Sequence, residues 1–397
     1  MQAEVPAPPV SAAGDEAVRE AFARILARLA REGLADDIAT LEPELDRILD
    51  PELRGGVAKL VGFWRLRRGD FEQAADVSEL AAGLRPDDPD CAYNAAFALF
   101  RLGRLEAATA RARAGLKRNP ASAELCNLLS TCLGTLGRHK EAARFGTLAL
   151  ELKAASARGE PFDLSVVPVP PFDAARPERN VIAFSLFGSD PQYTLPAILN
   201  VQAARFVYPG WTCRFYVDRS VPKPVLDRLA EEGAQVKMGE GLPNEVYGTM
   251  WRFLVADDPE VDRYLVRDAD SVLNVREKAA VEAWIDSGRH FHVMRDHYDH
   301  SELVLAGMWG GVRGALPPML ETFRAFLRGR PSVPGRTLDQ EFLREALWPT
   351  IRQSVLTHDS QFAFGEREDF PAYARLPRGW VGCKAQHLMG RIVGARR

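Results

Sequence analysis

The decamer YLVRDADSVL, residues 264–273, brings two carboxylates, Asp268 and Asp270, one residue apart to the end of an apolar run. Like charges that close repel, and each raises the other's pKa. Residues i and i+2 of an extended chain project to the same side, so both carboxylates can face one point, or nearly so where the strand has begun to bend. A divalent cation at that point, Mn²⁺ or Mg²⁺, would offset the repulsion, and phosphate oxygens would complete its shell. Arg267, beside the pair, is placed to meet a carboxylate or a phosphate. The plain alternative is that Asp and Ser end a strand and cap the next helix.

A second polar cluster, HFHVMRDHYDH, fills residues 290–300. His290 and His292 alternate on a strand and share a face. Asp296, His297, Asp299 and His300 follow in a turn. Histidine with aspartate suits Zn²⁺ or Fe²⁺, which makes a metallohydrolase the rival reading, although no HExxH pair occurs. Otherwise the cluster is a polar strand end and loop.

The elements that must position these residues read as strands alternating with helices. NVIAFSLF (180–187), CRFYV (213–217), AQVKM, RYLVRDAD and HFHVM (290–294) are strand candidates. AILNVQAARFV (197–207), PKPVLDRLAEEG (222–233), YGTMWRFLVADD and EKAAVEAWIDSG have helical spacing. Such alternation predicts an α/β sandwich with a mainly parallel sheet. Ligands of such sheets bind beyond the carboxyl ends of the strands, where Asp268 and Asp270 fall.

The first half is different. Gly69, Gly103 and Gly137 are 34 residues apart, as are Ala74, Ala108 and Ala142, and Pro86 and Pro120. Gly62, Ala96 and Ser130 keep the same step. Small residues let paired helices approach, glycine makes the turn between them, and proline ends the second helix. The third copy has Ala154 where a proline is expected. This pattern resembles the tetratricopeptide repeat, a helical hairpin that stacks into a solenoid. Residues 15–49 read as two more amphipathic helices split near Gly33, either a degenerate repeat or a cap.

Composition bounds the rest. With 397 residues the chain is too long for one typical domain. The boundaries read as an unstructured N-terminus over 1–14, a repeat domain over 15–154, a proline-rich linker over 155–179 and a second domain over 180–397. Prolines 161, 168, 170, 171 and 177 mark the linker. A net charge of −3 gives no case for nucleic acid or a membrane surface. There is no signal-peptide pattern at the start and no apolar run long enough to span a bilayer. The five cysteines are scattered, so a reducing cytoplasm is the expected compartment.

Residues 180–360 are similar to glycosyltransferases of the GT-A fold, metal-dependent users of nucleotide sugars. WRFLVADDPEVDRYLVRDADSVL resembles the helix and strand that deliver that family's aspartate-x-aspartate motif. LAGMWGGVRG (305–314) resembles its donor-sugar segment, and LDQEFL (338–343) the aspartate-glutamine pair of glycogenin-like members. The chain also resembles a bacterial group with RDxDS, MRDH and GMWG blocks. The resemblance implies that Asp268 contacts the ribose or the metal and that Asp270 ligates the metal. Phe184, Ser185 and Gly188 would meet the base and ribose, with Tyr193 stacking there, and Arg252 and Arg267 would reach phosphate. Gly307, Trp309 and Gly310 would shape the sugar pocket, and Asp339 and Gln340 would bind sugar hydroxyls. For the third metal ligand the candidates are His358, preferred, and His387. Asp296 would bind sugar hydroxyls or act as base on the acceptor.

The fold expected is therefore α plus α/β: a solenoid of tetratricopeptide-like hairpins followed by a GT-A domain. The function expected is a hexosyltransferase-type enzyme using Mn²⁺ or Mg²⁺ and a UDP- or GDP-sugar. The repeats would recruit a protein, peptide or glycan acceptor. The alternatives are a repeat scaffold with a degenerate transferase domain, and a nucleotidyltransferase. Donor base, sugar, acceptor, stereochemistry and oligomeric state are not written in the sequence.

Overall fold

The computed structural model describes residues 12–32, 36–239, 248–328, 330, 337–374 and 379–386. His387 and Gly33 lie outside the described residues, as do residues 1–11. The chain divides into two units between Leu152 and Lys153.

The first unit is helical: α1 (Ala12–Glu32), α2 (Pro51–Arg68), α3 (Phe71–Leu84), α4 (Pro89–Arg101), α5 (Leu105–Arg118), α6 (Ala123–Thr135) and α7 (His139–Ser156) up to Leu152. Local chemistry sets these boundaries. Asp50, Asp88 and Ser122 accept backbone N–H groups at the starts of α2, α4 and α6. Pro51 and Pro89 occupy first helical positions, where no N–H is needed. Gly69, Gly103 and Gly137 turn the chain with φ of 86°, 72° and 75°. The small column also does its work: a Cβ at Gly62 would stand 2.5 Å from the Ser78 hydroxyl oxygen. Ile38, Val57, Val61 and Trp64 form the core beneath α1 and α2. The stretch after α1 is a 3₁₀ helix, Asp36–Glu44, where the sequence reading has a second amphipathic helix. Pro43 lies inside it, and proline blocks the α-helical hydrogen bond.

The second unit is built on seven strands among the described residues. In chain order these are β1 (Asn180–Leu186), β2 (Thr212–Val217), β3 (Gln235–Met238), β4 (Arg263–Arg267), β5 (Phe291–Arg295), β6 (Met308–Val312) and β7 (Val355–Asp359). The sheet order is β3-β2-β1-β4-β6-β5-β7. All neighbouring pairs are parallel except those with β6, which runs against both β4 and β5. β1, β4 and β5 are buried along their whole length, as strands covered on both faces must be. Helices α8 (Pro191–Val207), α9 (Lys223–Glu231), α10 (Val275–Ser287), α11 (Met319–Leu327), α12 (Leu338–Phe342) and α13 (Trp348–Ile351) belong to the unit. The expected helix before β4 is a 3₁₀ stretch, Gly248–Asp257. A π-helical turn, Leu343–Leu347, continues α12.

From β1 the chain steps outward to β2 and β3, then returns to lay β4 on the other side of β1. The carboxyl ends of β1 and β4 therefore part company, and a crevice opens between their loops. That is the switch point where open α/β sheets bind ligands. The proline-rich stretch is fastened along this same unit. Gly159 donates to the Glu345 carbonyl (3.0 Å), Arg263 to the Pro170 carbonyl (3.0 Å), and His290 bonds the Val167 carbonyl (2.8 Å). No helix among the described residues is long and apolar enough to cross a membrane.

Candidate functional site

The crevice at the switch point has a volume of about 450 Å³. Ser185 and Phe187 line it from the end of β1, and Asp268, Ala269 and Asp270 from the end of β4. Tyr193 on α8, Arg252 on the 3₁₀ stretch, Asp339 and Gln340 on α12, and Lys384 close it.

Arg252 organises one side. Its backbone N–H donates to the Ser185 hydroxyl (3.1 Å), tying the 3₁₀ stretch to β1. Its guanidinium donates to the Arg267 carbonyl (3.0 Å), to the Asp268 carboxylate, and to Asp339 Oδ2 (3.3 Å). Arg252 is buried, and burial opposes its charge. Asp268 and Asp339 outweigh that and hold the guanidinium protonated. Burial pushes the Asp339 carboxyl above its usual range, Asp268 adds to this, and Arg252 pulls it back. Gly307 faces Asp268 so closely that a Cβ would overlap the carboxylate. Gln340 accepts the Ala306 N–H through Oε1 (3.2 Å), fixing α12 to the segment before β6.

Asp270 organises the other side. It is buried, and Lys384 Nζ lies 2.7 Å from Oδ2. Ala385 donates its N–H to the Asp270 carbonyl (2.9 Å), and Ser271 its hydroxyl to the Gly382 carbonyl (3.0 Å). Burial works against the Lys384 charge, and the bond to Asp270 more than offsets it, raising the ammonium pKa.

The donor set suits a hard cation. Asp268 and Asp270 offer carboxylate oxygens to one crevice, and Mg²⁺ or Mn²⁺ is commonly held by one or two carboxylates plus substrate phosphates. Among the described residues no group of three or more His, Cys, Asp or Glu side chains could hold a metal ion alone. A diphosphate would have to supply the remaining ligands, and Lys384 would have to release Asp270.

Several expected site residues stand elsewhere. His358 lies within β7, the outermost strand, with β5 and β6 between it and β4. At about 4.8 Å per strand that is some 14 Å away, too far to join Asp270 on one ion. It bonds His292 instead (2.9 Å). Arg267 turns away from the crevice, paired in the interior with Glu277 (2.6 Å). Phe184 is core, stacked on Phe215 with centroids 4.7 Å apart. Trp309 is packed edge-on against Phe253 and Tyr264. Because β6 enters the sheet at Met308 opposite Arg267, Trp309 and Gly310 lie deeper than the crevice. Gly310 serves the sheet: a Cβ there would stand 2.7 Å from the Tyr264 carbonyl. Gly188 turns the chain after β1 at φ 77° and donates to the Ser220 hydroxyl (2.6 Å).

Asp296 carries the largest correction. Arg276 holds both its oxygens (2.9 Å each), Ser360 donates at 2.6 Å and the Val381 N–H at 3.0 Å. A carboxylate with four donors on it is a fastening point rather than a free base. Arg295 likewise meets a carboxylate of the protein, Asp359 (2.6 Å). The residue that sequence reasoning passed over is Lys384. Its signal was a lysine among the small residues Gly382, Cys383 and Ala385, just before the histidine considered as a ligand.

Residues 65–131 match the tetratricopeptide repeat family. No curated protein matches the chain. Among solved structures, MamA of AMB-1 is 21% identical over 35% of this chain and 80% of that one, with a TM-score of 0.31. MamA from Desulfovibrio magneticus RS-1 is 18% identical over 36% and 77%, with a TM-score of 0.29. A mutant O-GlcNAc transferase of Thermobaculum terrenum is 18% identical over 65% of this chain and 47% of that one, with a TM-score of 0.38. The chain spans about half of that transferase's length. At these scores the likenesses carry no functional argument.

Proposed function

We propose that this chain is a metal-dependent glycosyltransferase of the GT-A kind, moving a sugar from a UDP- or GDP-sugar to an acceptor that the repeat unit helps to recruit. The observation that carries the reading is that Asp268 and Asp270 line one crevice at the switch point of a mostly parallel sheet, with cationic and hydrogen-bonding side chains around them.

Asp268 and Asp270 would hold Mn²⁺ or Mg²⁺, which when bound supplies positive charge to the departing diphosphate. Arg252 fixes the Asp268 carboxylate before substrate arrives, so the site needs little reorganisation. Lys384 exchanges Asp270 for a diphosphate oxygen and adds a second positive charge there. Ser185, Phe187 and Tyr193 form the nucleoside end of the crevice, with Tyr193 offering a ring for the base. Asp339 and Gln340 line the same crevice, where sugar hydroxyls would bond them. The repeat unit contributes its own groove of about 590 Å³, lined by Phe22, Leu26, Phe63 and Tyr93, to which an acceptor protein would add effective concentration.

A thermal-shift screen of UDP- and GDP-sugars, with and without MnCl₂, tests the reading, because a bound ligand raises apparent stability. Metal-dependent stabilisation followed by release of nucleoside diphosphate supports it. Release of pyrophosphate would instead make the protein a nucleotidyltransferase, and no stabilisation by any donor would leave a binding scaffold.

A further inference from the structure

With Asp296 held by four donors, the proton of an attacking acceptor has to go elsewhere. The neighbouring turn offers a group built for it. β4 and β5 both run against β6, so the carboxyl end of β5 opens on the same sheet edge as Asp268 and Asp270. The C-terminal stretch joins the two places. Trp380 lies on the His297 ring, with centroids 3.9 Å apart and planes at 15°, and Lys384 holds Asp270. Four residues of chain, at most about 14 Å when extended, separate Trp380 from Lys384.

The hydrogen bonds around His297 fix its tautomer. The Asp296 backbone N–H donates to Nδ1 of His300 (3.1 Å), which leaves the His300 proton on Nε2. Burial lowers the pKa of His300 and keeps that ring neutral. Its Nε2 faces Asp299 Oδ1 at 3.5 Å. The same oxygen lies 2.5 Å from Nδ1 of His297, so the His297 proton is on Nδ1, donated to the carboxylate. The Asp299 backbone N–H also reaches Nδ1, at 3.4 Å against 2.5 Å for the carboxylate oxygen. Nε2 of His297 keeps its lone pair, and no described residue is hydrogen-bonded to it. Around the half-buried ring stand Asp299 and His300 from its own turn and Trp380 from the C-terminal stretch.

We propose that Nε2 of His297 is the general base of the transfer step, oriented by Asp299; this rests on the glycosyl-transfer reading above. The acceptor oxygen bonds to the anomeric carbon as its proton passes to Nε2. The bond from that carbon to the diphosphate oxygen breaks, and its electron pair leaves with the diphosphate. The proton then passes to solvent, and the anomeric configuration is inverted.

The test uses the full chain with MnCl₂ and four probes: UDP-glucose, UDP-galactose, UDP-N-acetylglucosamine and GDP-mannose. Water serves as acceptor, release of nucleoside diphosphate gives the rate, and calorimetry gives donor affinity. His297→Gln is expected to slow release about 100-fold. Its donor Kd stays within twofold. Asp299→Asn gives a smaller loss, through the tautomer, at unchanged Kd. A rate loss of tenfold or more at unchanged donor affinity supports the base. A smaller loss, a loss matched by weaker donor binding, a product of retained configuration, or binding without cleavage in the wild type overturns it, and glycosyl transfer can still stand. A wild type that binds none of the four probes brings down the transfer reading, and the base falls with it.

Discussion

Nζ of Lys384 lies 2.7 Å from Oδ2 of Asp270, and the next residue's N–H holds the carbonyl of the same aspartate. One short C-terminal stretch therefore touches the candidate metal ligand twice, once through charge and once through backbone. The side chain of Lys384 is half exposed, whereas that of Asp270 is buried.

Lys384→Met leaves the buried Asp270 carboxylate without its cation and is expected to cost about 1–3 kcal/mol of folding stability. It should weaken binding of UDP or GDP with Mn²⁺ by about tenfold or more, the worth of one charge-assisted bond. Urea unfolding and calorimetry on the same preparation separate the two effects. Unchanged nucleotide affinity would remove Lys384 from the site.

Arg252→Leu should act on the fold as well as the site. The change leaves Asp339 buried without its cation and frees Asp268. Removing one partner of a buried ion pair costs about 3–5 kcal/mol. A shift of the urea midpoint by that amount is expected, and a loss under 1 kcal/mol would show that Asp339 finds another partner or takes up a proton.

Gly307→Ala and Gly310→Ala make a paired comparison. A Cβ at position 307 meets the Asp268 carboxylate, and one at 310 meets the Tyr264 carbonyl inside the sheet. Gly307→Ala is expected to cost about 1–3 kcal/mol and to abolish Mn²⁺-dependent nucleotide binding. Gly310→Ala should destabilise by at least as much, yet leave binding intact in whatever fraction stays folded. Binding by Gly307→Ala at wild-type affinity would mean that Asp268 does not need its observed position.

Acid stability should report the buried histidine couple. Burial lowers the pKa of His358 from 6.5 to about 4, with Arg276 adding to the effect, and His292 is pushed down in the same direction by burial, His358 and Arg267. The unfolded chain takes up protons near pH 6.5 while the folded chain does not. Stability is therefore fully present above pH 6.5 and lost as pH falls from 6.5 toward 4, by about 3 kcal/mol for His358 alone. Urea midpoints between pH 7.5 and 4.5 measure this. A flat profile would show the couple protonated in the folded protein.

Much of this architecture could be read from local pattern, because local chemistry sets it. The 34-residue step of Gly69, Gly103 and Gly137 matches three positive-φ turns, and the apolar run before Asp268 is a buried strand. What could not be read depends on which strands become neighbours. His358 follows a strand-like run and looks available as a ligand, yet the order β4-β6-β5-β7 carries it to the far edge. Trp309 and Gly310 look like pocket residues until the antiparallel register of β6 sets them deep in the sheet. Asp296 looks like a free carboxylate because its four donors come from α10 and from two later segments, distant in sequence. Lys384 escaped notice for the same reason: 114 residues separate it from the aspartate it binds.

The most direct measurement is calorimetric titration of UDP and GDP, each with and without MnCl₂, into the wild-type chain and its Asp270→Asn variant. Metal-dependent glycosyl transfer predicts binding of at least one nucleotide that requires Mn²⁺ and falls by tenfold or more in the variant. Absence of binding, binding of equal strength in EDTA, or an unaffected Asp270→Asn would contradict it.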